Sequence, residues 1–364
     1  MIKHTFLALA LFVACGGDGA NPDIPVQNRA VIVAGDFTPG SPGVMSALDL
    51  DIMAVEQRVA PTGSVGSDPV IRRFGTELFV VNRADGNNVT ILDAVTFELV
   101  EQLATGPASN PQDVVVVGDE IYVAALGTAG VVVVQRGTGE IRTIDLSALD
   151  PADGQPDCVS VFKVDDDVFV ACGLLDNFVA STPGVVAVLD TANDDAVTTF
   201  ELQNVNPFGL FERMPAAAGG DLVIPMVPDF SDFSTGCVER IDIAAGSSSC
   251  AITNQELGGL VARIDFETVN DSVVQWMVVA SFGVAGPVGN VQGLDLDTDE
   301  HIAAITPDTQ VIVDLAVCPG NTVVVADATM AANGLRVYAG DAEMTTAPLA
   351  VGLKPGSAHG LSCY

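Results

Sequence analysis

The chain has 364 residues, with 47 Asp and Glu against 14 Lys and Arg, a formal charge of −33 and 49% hydrophobic residues. So acidic a surface repels the phosphate backbone of nucleic acids and the anionic faces of membranes, which excludes nucleic acid as a partner. The carboxylates are spread along the whole chain instead of forming one block, the pattern of a solvated surface.

Residues 1–14 combine a short basic stretch, Lys3 with His4, and an apolar stretch over residues 5–14. The apolar stretch is too short for a permanent membrane span and reads as a signal peptide. It ends in Phe12-Val13-Ala14-Cys15-Gly16-Gly17-Asp18-Gly19, which resembles the bacterial lipobox, with Phe12 in the place usually held by Leu. That resemblance implies cleavage before Cys15, lipidation of Cys15 and a membrane partner reached through the lipid anchor. Gly16 in place of Asp after the cysteine implies the outer membrane of a Gram-negative envelope. Residues 15–29, rich in Gly and Asp, suit a flexible tether, and residues 30–364 form the folded domain.

From there the chain repeats itself. A short apolar run closed by a small or turn-forming residue recurs seven times: Ile32-Val33-Ala34-Gly35, Phe79-Val80-Val81-Asn82, Tyr122-Val123-Ala124-Ala125, Phe169-Val170-Ala171-Cys172, Leu222-Val223-Ile224-Pro225, Val278-Val279-Ala280-Ser281 and Val324-Val325-Ala326-Asp327. The closing positions are 47, 43, 47, 53, 56 and 46 residues apart. A period of this size built on β-branched runs is that of one four-stranded propeller blade.

Each signature is followed by a third strand that usually ends in an apolar residue and aspartate: Leu48-Asp49, Leu92-Asp93, Leu189-Asp190, Ile241-Asp242 and Leu294-Asp295, with Val134-Gln135 and Tyr338-Ala339 in the other two blades. These aspartates read as turn residues that accept hydrogen bonds from amides two positions on. An inner strand precedes each signature, as in Asp113-Val114-Val115-Val116-Val117, Val159-Ser160-Val161-Phe162 and Val311-Ile312-Val313-Asp314-Leu315. Blade 1 lacks one. The run from Ser357 through Tyr364 is the missing strand, so the fold expected is an all-β, seven-bladed propeller closed by the C-terminal strand joining blade 1, with no open sheet edge and no helix of useful length.

Six cysteines follow Cys15, and sequence alone leaves 15 pairings. The repeat removes most of them. Cys158 and Cys172 flank a hairpin turning at Asp165-Asp166-Asp167, and Cys237 and Cys250 flank one turning at Ala244-Ala245-Gly246-Ser247. Cys318 and Cys363 remain, on the inner strands of blades 7 and 1, where a bridge would lock the seam. Zinc is the competing reading of clustered cysteines, but the spacings lack zinc-ligand pairs.

Leu78-Phe79-Val80-Val81-Asn82-Arg83 followed by Asn88-Val89-Thr90-Ile91-Leu92-Asp93-Ala94-Val95-Thr96 resembles the YVTN repeat of bacterial and archaeal surface and periplasmic propellers. The likeness is strongest in blade 2, fair in blades 3, 4 and 7, and weak in blades 5 and 6, where insertions such as residues 229–236 interrupt it. It implies a seven-bladed propeller of unassigned function and transfers no catalytic residue.

Chemistry is sparse. Of the histidines outside the signal peptide, His301 falls on an outer strand and reads as a surface residue. His359 falls near the central channel, where a structural role suits it better than a catalytic one. No G-x-S-x-G elbow, phosphate loop, dinucleotide fingerprint or H-E-x-x-H is present. The single Trp276 argues against quinone-dependent propellers and aromatic sugar platforms. Asp295-Leu296-Asp297-Thr298-Asp299 begins like a calcium loop, but Glu300 stands at the position of the glycine and Thr306 at that of the bidentate acid. Asp229, Asp232 and Asp165 to Asp167 are further loose calcium candidates. Asn88-Val89-Thr90 and Asn270-Asp271-Ser272 match the glycosylation pattern, without meaning in a bacterial chain.

The reading is a non-enzymatic envelope lipoprotein, periplasmic or surface-facing, with no cofactor. Its propeller would bind another envelope protein or a small ligand. A lactonase-type hydrolase, with a divalent metal held by Asp113 and Asp314 beside His359 at the channel, is the alternative. A purely adhesive surface module is the third.

Overall fold

A computed structural model describes residues 28–269, 272–283, 286–356 and 358–364. The signal peptide, Cys15 and nearly all of the tether lie outside the described residues, as do Asn270, Asp271 and Ser357.

Seven four-stranded antiparallel sheets form the ring. In blades 2 to 7 the inner strands are Pro69–Phe74, Pro111–Val117, Cys158–Val164, Glu212–Arg213, Leu260–Val269 and Ile312–Cys318. Blade 1 is built from both ends of the chain: Leu361–Cys363 pairs with Arg29–Ala34, with Ala30 opposite Cys363 and Ile32 opposite Leu361. The C-terminal strand therefore closes the wheel. Among the described residues, helix is confined to one turn, Asn254–Leu257, and two short 3-10 segments, and no helix is long and apolar enough to cross a membrane.

The second strands, such as Glu77–Asn82 and Glu120–Ala125, are buried over all but their first residue because each faces a neighbouring blade on both sides. Continuous β-branched runs suit that position. Outer strands such as Leu99–Ala104 face solvent. One apolar cluster fills each gap between consecutive blades. The cluster joining Ala30, Ile32 and Leu48 of blade 1 to Ala316, Val324 and Val337 of blade 7 closes the circle.

The turn aspartates act as expected. Asp49, Asp93, Asp190, Asp242 and Asp295 each accept a bond through Oδ1 from a backbone N–H two or three residues on. The signature's phase differs in three blades. By the register of the third strands, the true equivalents of residues 79–82 are residues 31–34, 223–226 and 276–279 in blades 1, 5 and 6. Apolar runs longer than four residues carry no mark of where the repeat begins.

Three disulfides form, Cys158–Cys172, Cys237–Cys250 and Cys318–Cys363, with Cα separations of 3.8, 5.9 and 5.0 Å. The first joins directly opposed residues of one hairpin. The third fastens the inner strand of blade 7 to the closing strand of blade 1.

Candidate functional site

A recurring β-bulge aims side chains at the axis. The inner strands of blades 3, 4, 6 and 7 each carry one extra residue, Gln112, Val159, Ala262 and Val313, and the residues that follow are Asp113, Ser160, Arg263 and Asp314. A bulge twists its strand locally and re-aims the next side chain, so neighbouring blades deliver polar groups to one level of the channel.

At that level they form a continuous bar. Arg72 of blade 2 donates through Nε and Nη2 to the two oxygens of Asp113, at 2.8 and 2.9 Å, and through Nη1 across the axis to Glu212 of blade 5 at 3.2 Å. Asp113 Oδ2 also accepts from Ser160 Oγ at 2.8 Å, and Ser160 Oγ accepts from Phe211 N–H at 2.8 Å. Glu212 Oε1 is shared with Arg263 Nη1, and Arg263 Nε donates to Leu315 O at 3.2 Å and faces Asp314 Oδ1 at 3.4 Å. Both arginines stay charged, because their carboxylate partners outweigh the burial that opposes the cation.

His359 sits beside this bar, just before the closing strand and buried. Leu210 N–H donates to its Nε2 at 3.2 Å, and Arg263 Nη1 lies 3.2 Å from its Nδ1. Gly209 makes the approach feasible: its φ is +100°, and a Cβ there would stand 3.2 Å from the ring nitrogen. Because Leu210 N–H donates to Nε2, the neutral ring carries its single proton on Nδ1, the nitrogen beside Arg263. Burial followed by the charges of Arg263 and Arg72 holds the imidazole's pKa well below 6.5. A ring kept neutral in this way is unsuited to carrying protons near pH 7.

Two carboxyls are pushed the other way. Asp314 is raised to about 7, by burial that outweighs Arg263 and the backbone N–H groups it accepts from, including Leu361 at 2.7 Å. Asp265 is raised to about 6, again by burial, against Arg263.

Above the bar the channel opens into a cavity of about 890 Å³ lined by all seven inner strands. Arg72 and Arg263 belong to its floor, Val114, Val161 and Val317 to its wall, and Arg73, Lys163 and Arg213 to the wall towards the inner hairpin turns.

The three residues singled out from sequence, Asp113, Asp314 and His359, therefore lie in one network. It is an arginine network: Asp113 is spent on Arg72, while Asp314 and His359 flank Arg263. The donors do not fit a divalent metal, since the carboxylates meet guanidinium and N–H groups instead of a shared point. Among the described residues no three or more His, Cys, Asp or Glu are grouped to hold one. The calcium-like aspartates serve their own loops: Asp229 and Asp232 accept from Ser231 N–H and Ser234 N–H, and Asp297 from Ser272 Oγ. His301 lies exposed on the outer strand Glu300–Ile302, with Nε2 at 2.7 Å from Gln292 Oε1. Arg72, Glu212 and Arg263 went unnoticed in the sequence; the signal that could have found one of them is that of Arg263, a cation set between Ala262 and Ile264 within an inner strand.

No family model matches the chain, and no curated protein matches it. Solved structures share its fold. A putative 6-phosphogluconolactonase from Bacteroides uniformis is 12% identical with a TM-score of 0.57, covering 92% of this chain and 99% of that one. The dihydro-haem d1 dehydrogenase NirN in complex with DHE is 15% identical with a TM-score of 0.56, covering 93% and 66%. Apo AztD from Citrobacter koseri is 12% identical with a TM-score of 0.53, covering 92% and 97%. At these identities the likeness concerns the fold alone.

Proposed function

We propose that the chain is an extracytoplasmic lipoprotein of the YVTN-repeat kind, held to the bacterial envelope through Cys15, whose ring is a binding module and not an enzyme. The observation that carries the binding reading is the axial funnel. It is large enough for an organic ligand, and the acid, base and imidazole groups beneath it are already committed to one another. Catalysis by proton transfer needs a group near its working pH and free to reach a substrate. The two raised carboxyls are tied to backbone N–H groups, Asp314 to Leu315 and Leu361 and Asp265 to Phe266 and Val317, and His359 is held below its ordinary range with Nε2 taken by Leu210 N–H.

The three disulfides suit an oxidising compartment outside the cytoplasm. The lipobox resemblance supports the anchor, and through it the outer membrane. A thermal-shift screen of small molecules against the mature protein tests the binding reading, with a ligand-dependent rise in midpoint as the expected result. Turnover of any lactone or ester that disappears in His359→Ala would overturn it. Incorporation of labelled palmitate that is lost in Cys15→Ala tests the anchor, and an unlabelled wild-type chain would refute it.

A further inference from the structure

We infer that the axial cavity takes a small amphiphilic organic anion: an apolar body ending in a carboxylate or phosphate group. This rests on the binding reading above and names the class of ligand.

The first observation is a local reversal of charge. Acidic residues outnumber basic ones more than threefold in the chain, 47 to 14. In the lining of this one cavity the order inverts: Arg72, Arg73, Lys163, Arg213 and Arg263 stand beside two acidic residues, Asp165 and Asp265. More than a third of all the basic side chains therefore converge on one concavity. A charged cleft with low-dielectric walls focuses its field at the mouth. With Arg72 and Arg263 balanced by Asp113 and Glu212 beneath the lining, the pull on an anion comes chiefly from Arg73 and Lys163, while the acidic surface elsewhere repels anions and bars polyanions.

The basic groups divide the task. Arg72 and Arg263 are balanced by Asp113 and Glu212 and pinned by them, so they offer directed N–H groups on a rigid floor. Among the described residues, the bonds donated by Arg263 leave from Nε to Leu315 O and from Nη1 to Glu212, leaving Nη2 without one. Arg73 lies 5.1 Å over the Tyr364 ring and bonds the Gly75 carbonyl, and Lys163 bonds the Asp165 carbonyl. Contacts to a carbonyl or a ring hold a cation in place without cancelling its charge. Between these groups the wall is apolar, with Val114, Val116, Val161, Phe162 and Val317. Ligand sites of about 300–1,000 Å³ lined by apolar groups with a few convergent polar ones are built for organic molecules, and 890 Å³ is more than an inorganic anion fills.

Calorimetric titration of the mature protein with octanoate, octyl phosphate, octanol and octylamine tests the assignment. Octanoate or octyl phosphate should bind with one site per chain, at least about tenfold more tightly than octanol, and the two anions against each other tell a carboxylate site from a phosphate site. Arg73→Gln combined with Lys163→Gln should weaken the anions about tenfold while leaving octanol unchanged. Equal affinity for octanol and octanoate, or full anion affinity in the double variant, would overturn the inference. Should the variant fail to fold, the wild type at about 0.05 M and about 0.5 M salt decides in its place: anion binding must weaken with salt and octanol binding must not. Octanol or octylamine binding where the anions do not would sink the anionic class and leave the binding reading standing. Failure of all four probes would count against the binding reading itself.

Discussion

Blades 1 and 2 share one plan and reach it by opposite routes. Blade 2 takes its four strands from one stretch, residues 69–104, and its inner strand pairs over six residues, from Pro69 opposite Asn82 to Phe74 opposite Glu77. Blade 1 joins residues 29–57 to a closing strand of three residues, Leu361–Cys363. The shorter ladder is reinforced from every side. Arg29 and Tyr364 exchange two backbone bonds of 3.0 Å, Val33 N–H donates to Gly360 O, and Ile71 N–H of the next blade donates to His359 O. Asp314 of blade 7 accepts from Leu361 N–H, Tyr364 Oη donates to Ala94 O at 2.6 Å, and Cys363 is bound covalently to Cys318. Where connectivity along the chain is missing, side chains and a cross-link supply it.

Deleting residues 361–364 should have the largest effect. It exposes the inner edge of blade 1 and removes buried Leu361 and Tyr364, so the cooperative unfolding transition should be lost, as read by circular dichroism against temperature. Retention of a sharp transition near the wild-type midpoint would show that blade 1 stands without its closing strand.

Removing the seam disulfide with Cys318→Ala and Cys363→Ala comes next. Its loop spans 45 residues against 14 for Cys158–Cys172, which in the chain-entropy model corresponds to about 4 and about 3 kcal/mol. Denaturant unfolding of the two double variants should rank them in that order, and the reverse order would mean that the hairpin of blade 4, not the seam, depends on its cross-link.

The clamp on the closing strand should respond to pH. The carboxyl of Asp314 is raised in the folded protein, to about 7 from an ordinary 3.8, so the folded state holds its proton more firmly than the unfolded chain. Its contribution is complete below pH 4, declines as pH rises towards 7 and is gone above. Melting midpoints of wild type and Asp314→Asn across that window should show a downward slope that the variant lacks; parallel slopes would assign the titration elsewhere.

The smallest effect belongs to the contiguous blade. Asn82 is buried, accepts from Gly66 N–H at 2.7 Å and donates to Asn88 Oδ1 and Ser64 O. Asn82→Ala orphans those groups and should cost about 2 kcal/mol in denaturant unfolding, less than either change at the seam.

Most of the fold was legible in the residues because the propeller repeats its physics. Doubly covered strands demand β-branched runs, and tight turns demand aspartate, so Leu92-Asp93 and Leu189-Asp190 marked the same turn in different blades. Phase slipped in blades 1, 5 and 6, where the apolar run gives no unique start. At the channel, Asp113 and Asp314 stood out as lone charges in apolar strands. Arg72 did not, since Arg73 beside it gave the look of a solvated strand end. Glu212 was hidden because the inner strand of blade 5 has only two residues. The bulges that turn these groups inward, and the reach of Arg72 to Glu212 across the axis, depend on register between strands, which spacing along one strand does not encode.

The bulge carries a consequence for change over time. The residue after it points to the axis, while the seven apolar seams that hold the wheel together lie on other positions. Exchanging Asp113, Ser160 and Arg263 as a matched set would therefore rewrite what the hub accepts and leave the rim untouched, whereas Asp314, which also holds the closing strand, ties the hub to the seam. One scaffold can be retuned to new chemistry by a handful of coordinated replacements.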